Sequence, residues 1–140
     1  MGQVLSLADG LGYYWLDLRV ANRPCRCMID LGLVDRANRL GISLVPALFD
    51  VLEQTGQFAD LHHRTQRDSS GRITALRSGR ANVQLMNPLN RQVVGPVVST
   101  QISRSMPGVP SRVGVVFFHH LRGCKVIWNL DNRAWSIDYP

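Results

Sequence analysis

The residues best placed for chemistry lie in the stretch 24–33, Pro-Cys-Arg-Cys-Met-Ile-Asp-Leu-Gly-Leu. Apolar Met28 and Ile29 run directly into one carboxylate, Asp30, and Leu31, Gly32 and Leu33 follow it. A strand that ends in Asp-x-Gly carries an acid to the rim of a sheet and then turns sharply at the glycine. Such a carboxylate is a candidate acid or base. It is equally the kind of residue that caps a turn at a strand end.

The other reactive side chains are less well arranged. His62-His63 and His119-His120 are adjacent pairs. Neighbours point to opposite faces of a strand, or diverge by about 100° on a helix, so neither pair makes a metal site by itself. Cys25 and Cys27 share one strand face, a poor disulfide arrangement, and Cys124 has no partner at zinc-ligand spacing. The serines of Ser78-Gly79 and Ser69-Ser70-Gly71 lack a nucleophile-elbow pattern and read as turn formers. No glycine-rich phosphate loop is present in the sequence.

Size and composition bound the remaining possibilities. The chain has 140 residues, 45% of them hydrophobic, which fits one globular domain over residues 1–140 with an ordinary core. No apolar run approaches the roughly 20 residues that span a bilayer, so no membrane partner is expected. The first residues have no basic segment followed by a long apolar one. With an odd cysteine count, this predicts reduced thiols in a cytoplasm. The net charge is +6, from 16 Lys plus Arg against 10 acids, and Lys125 is the sole lysine. The arginines are scattered, with no dense basic run and no interleaved aromatics. Charge alone therefore gives only a weak case for a basic nucleic-acid-binding β domain.

The elements that must position Asp30 are mostly strands. Gln3 to Leu7 reads as a first strand. Tyr13 to Val20 alternates, with Tyr14, Leu16, Leu18 and Val20 on one face. Ala21-Asn22-Arg23 turns the chain, and Pro24 to Asp30 runs back as the second arm of a hairpin. Val34 to Ile42 reads as polar and irregular. Pro46 opens a helix to about Thr55, with Leu48, Val51 and Leu52 as its apolar stripe and Gly56 as its stop. Residues 57–71 read as polar, ending in the turn Asp68-Ser69-Ser70-Gly71. Strands are predicted over Ile73–Arg77, Ala81–Met86 and Gln92–Val98, followed by a loop over 101–111. Val113 to Leu121 reads as a strand passing into a short helix. Lys125–Leu130 and Ala134–Tyr139 form a closing hairpin. Tyr13, Tyr14 and Trp15 suit a cleft or interface, or ordinary packing.

In content and order these elements resemble the retropepsin-like aspartic proteases. Asn22-Arg23-Pro24 and Met28-Ile29-Asp30-Leu31-Gly32-Leu33 match the turn and active-site strand of that family. Ile42-Ser43 and Pro46-Ala47-Leu48 resemble the segment after the motif. Val113-Gly114 and Phe117-Phe118 resemble the late Leu-Gly pair and its helix. Lys125-Val126-Ile127 and Leu130-Asp131-Asn132-Arg133 resemble the closing strand and turn. The family motif is Asp-Thr-Gly or Asp-Ser-Gly, whereas here the middle residue is Leu31.

The resemblance implies an all-β fold: a closed barrel or sandwich with one main helix, a short C-terminal helix and a homodimeric assembly. It implies an endopeptidase in which Asp30 and its symmetry mate share one proton and activate a water. Leu31, Gly32 and Leu33 then form the active-site loop. Asp68, Ser69, Ser70, Gly71 and Arg72 form a flap over an extended peptide or protein substrate, and no metal or organic cofactor is required. The departures set up an alternative. Leu31 cannot supply the hydroxyl that ties the two subunits together beneath the acids. Leu33 stands where a small Ala is usual, Val34 to Gly41 look like extra residues, and Val115-Val116 replace an Asp or Asn. The alternative is a protease-derived peptide-binding or dimerisation module without turnover.

Overall fold

The computed structural model describes residues 2–34, 39–67 and 69–140, and of Gln66 and Thr74 the backbone alone. In chain order the elements are β1 (Gly2–Leu7), β2 (Trp15–Val20), β3 (Arg23–Ile29), β4 (Leu40–Leu44), α1 (Pro46–Gln54), β5 (Ala59–Arg67), β6 (Ile73–Met86), β7 (Val93–Arg104), β8 (Arg112–Val113), α2 (Val115–His119), β9 (Lys125–Asn129) and β10 (Ala134–Tyr139).

Strands β2 and β3 form the hairpin that the alternation predicts, with Leu16 opposite Cys27 and Leu18 opposite Cys25. Those four side chains point inward and are buried. A seven-stranded sheet runs β2-β3-β8-β4-β7-β6-β5, and β2 also pairs with β6. That extra pairing closes every strand of the sheet except β5 into a barrel, which removes most open edges. Ile42, Leu44, Val83, Leu85, Ile102 and Val113 are buried in one core, which Phe49 of α1 and Phe117 of α2 join. A second sheet, β1-β10-β9, joins the two ends of the chain, with Gly2 opposite Tyr139. This is the all-β, closed-barrel architecture with one main and one short helix.

Four local expectations are corrected. Residues 40–44 form strand β4, because Ile42 and Leu44 are fully buried between β8 and β7. Residues 59–67 form strand β5 although their described side chains are exposed; pairing to β6 supplies the backbone partners that a polar segment otherwise finds in water. Strand β6 is continuous from Ile73 to Met86 instead of breaking at 78–80, and Gly79 lets it pass close to Phe58. Strand β7 runs on to Arg104, into the segment read as loop.

Candidate active site

Asp30 lies one residue past the end of β3. Its position is set by backbone pairing. Ile29 is in register with Val113 of β8, and the Asp30 amide donates to the Val113 carbonyl at 2.9 Å. Strand β8 is parallel to β3 and antiparallel to β4, so it threads between the strand that delivers the acid and the one that follows it. The Leu33 amide donates to the Asp30 carbonyl at 3.1 Å and closes the turn. The Gly32 amide donates to Asp30 Oδ1 at 3.0 Å, which fixes the rotation of the carboxylate.

Gly32 is favoured by this contact more than by its backbone angle. Its φ is not among the positive ones, but a Cβ there would lie 3.3 Å from Asp30 Oδ1. Gly114 is tighter still. A Cβ at that position would overlap the Leu33 carbonyl oxygen, and the Gly114 amide donates to Gly41 at 2.9 Å. The late Val-Gly pair therefore lets the turn after Asp30 sit directly on the start of α2.

The other loop residues diverge. Leu33 is 8% exposed and packs under the turn, so it belongs to the core and not to the open floor of a cleft. Leu31 is 43% exposed and stands out at the rim beside Asp30.

The second carboxylate oxygen has a partner that the sequence did not single out. Arg112 Nη1 donates to Asp30 Oδ2 at 3.1 Å, forming an ion pair. Arg112 is opposite Met28 in the β3–β8 register, and its Nε is buried without a partner among the described residues. Both Asp30 oxygens thus accept hydrogen bonds within the chain. The signal available in the sequence was position alone: Arg112 directly precedes Val113-Gly114.

Strands β5 and β6 form a long hairpin whose tip matches the candidate flap. Ser69 and Ser70 are in its turn, Gly71 has φ +82°, and Arg72 leads into β6. Asp68 lies outside the described residues. A cleft of about 600 Å³ runs between this hairpin, Val34 and Leu40. The hairpin base is braced by ion pairs: Arg77 to Glu53 and Asp50 of α1, and Arg104 of β7 to Asp50 at 2.9 Å. The Arg104 guanidinium holds the Asp50 carboxyl below the usual carboxylate range.

The cysteines form no disulfide. Cys25 and Cys27 Sγ atoms are 3.6 Å apart inside the barrel. A hydrogen bond from Cys27 holds the Cys25 thiol down, and the same bond together with burial pushes Cys27 up. Both histidine pairs have exposed members, His62 and His63 on β5 and His119 and His120 at the end of α2. No group of three or more His, Cys, Asp or Glu among the described residues could hold a metal ion. No helix among them is long and apolar enough to cross a membrane.

This architecture is the retropepsin-like aspartic protease fold. The chain is similar to the crystal structure of a retropepsin-like aspartic protease from Rickettsia conorii. The likeness covers 99% of this chain and 91% of that one, with a TM-score of 0.61 at 15% sequence identity. No family model and no curated protein matches the sequence.

Proposed function

We propose that the chain is an aspartic endopeptidase whose site is completed by a second copy of itself. The observation that carries this reading is Asp30, held at a barrel rim with its carboxylate oriented by the Gly32 amide. One chain supplies one such acid. A two-fold axis beside Leu31 brings two together, where like charges cannot both ionise; the pair keeps one proton and polarises a water for attack on a peptide carbonyl. The substrate lies extended beneath the β5–β6 hairpin and bonds through its main chain.

A surface for the second copy is available. On β1 and β9, Leu5, Leu7 and Ile127 are exposed, with Leu5 and Ile127 flanking Ser136 on one face of the terminal sheet. Fully burying an exposed side chain of this kind is worth about 1.5–3 kcal/mol, and these partly exposed ones contribute correspondingly less.

A peptide-binding module without turnover is the second reading, and the Arg112–Asp30 ion pair favours it. Gly32 and Arg112 occupy both oxygens of this carboxylate, which leaves fewer lone pairs to hold a catalytic water. In the endopeptidase reading Arg112 competes with the catalytic water and the second acid for Oδ2.

The test is cleavage of a denatured protein substrate at mildly acidic pH by the parent chain and by Asp30→Asn. Loss of cleavage in a folded Asn variant is the expected result, because the amide cannot act as the base. Equal cleavage by both removes Asp30 from the chemistry.

A further inference from the structure

The cleft under the β5–β6 hairpin carries a charge pattern that hydrolysis itself does not need. Arg64 and Arg67 of β5 and Arg77 of β6 line it, and none of its described lining residues is acidic. Arg77 is already engaged with Glu53 and Asp50. Arg64 and Arg67 are exposed and enter none of the ion pairs among the described residues. Like charges gathered at one concave surface repel one another, and their field is focused into the cleft. Guanidinium groups also bind carboxylates as planar, two-point forks.

The rest of the lining suits a peptide. Ser78 and Ser103 bring hydroxyls, Val34 and Leu76 bring apolar surface, and β5 is the terminal strand of its sheet, with one edge unpaired. An extended peptide can add to that edge; Arg64 and Arg67, three residues apart in an unbroken register, lie on opposite faces of β5, so acidic side chains three residues apart in the peptide meet one arginine on each face.

We propose that this cleft is a specificity site for acidic peptides, in which Arg64 and Arg67 bind Glu or Asp side chains of an extended segment. The inference rests on the reading above only for the segment's being a peptide laid along the hairpin.

The experiment is fluorescence anisotropy with labelled extended peptides of equal length that differ only in Glu against Gln. They are titrated with the parent chain at low and high salt, and cleavage is followed in the same samples. The Glu peptide should bind roughly three- to tenfold more tightly at low salt, the sum of two exposed ion pairs. High salt should shrink the difference. The double variant Arg64→Gln/Arg67→Gln should lose the preference, and Arg64→Lys/Arg67→Lys, which keeps the charge but not the two-point fork, should keep only part of it. Equal affinities, a preference unaltered in the Gln pair, no peptide binding, or tighter binding of a single-stranded oligonucleotide would each overturn the proposal. Charge-selective binding without cleavage leaves the specificity site standing and removes the endopeptidase. Cleavage indifferent to charge does the reverse.

Discussion

Arg112 Nη1 sits 3.1 Å from Asp30 Oδ2, so the candidate acid is held by a cation from the strand beside it. The two residues are far apart in sequence and meet only because β8 lies against β3. The Asp30 side chain is 32% exposed, so the pair is worth little to stability; what it does is occupy one oxygen of the candidate acid.

Replacing Arg112 by Leu frees that oxygen for a water or for the symmetry mate of Asp30. Peptide turnover should rise on the order of tenfold in kcat, equivalent to about 1.4 kcal/mol. Thermal stability should change little, since Asp30 keeps the Gly32 amide and access to solvent. The measurement is kcat for a peptide substrate, with a melting curve on the same samples. A fall in turnover with the melting curve unchanged would make Arg112 part of the working site.

Leu31→Thr separates the single chain from the assembly. Leu31 is exposed at the rim, so a hydroxyl there meets water in the monomer and should alter its stability by less than about 0.5 kcal/mol. In the proposed dimer, where a two-fold axis would lie beside this residue, the two hydroxyls can exchange hydrogen bonds. Turnover should increase, and sedimentation should show equal or stronger association. A loss of monomer stability well beyond that range would mean that Leu31 is packed.

The ion pairs that brace the hairpin predict a pH effect on stability. Arg104 donates to both oxygens of Asp50, and the Asp50 carboxyl is held below its ordinary value of 3.8. A carboxylate with a depressed folded value stabilises fully above 3.8 and loses that contribution as the pH falls through the lower value. Arg104→Ala should therefore cost about 0.5–1 kcal/mol in urea unfolding at neutral pH, a modest figure because both side chains are about one-third exposed. The gap between variant and parent should close below that range. A constant gap across pH would assign the cost to lost packing of the arginine stem.

The β2–β3 hairpin and the place of Asp30 were legible in the sequence because both strands bury one face and alternate cleanly. Helix α1 was legible from Pro46 and Gly56, but of the stripe Leu48, Val51 and Leu52 only Leu52 is fully buried, and Phe49, which the stripe omits, is the other buried residue. Strand β5 was not, because its described side chains are exposed and leave no period to read; its only cause is pairing with β6. Strand β8 is two residues long, too short for any pattern, and it exists through neighbours on both sides. Arg112 was missed for the same reason. A contact made across a two-residue strand has no local signature. The sequence also could not separate Leu31, which is exposed, from Leu33, which is buried.

The central claim is that the site needs Asp30 from two chains, and mixing tests it most directly. The parent chain and Asp30→Asn are combined in varying ratio at constant total concentration, allowed to exchange, and assayed for peptide cleavage. The account predicts activity that falls with the square of the parent fraction, to about a quarter at equal parts, because mixed pairs hold one acid. Activity that falls in simple proportion, or no cleavage at any ratio, would contradict it.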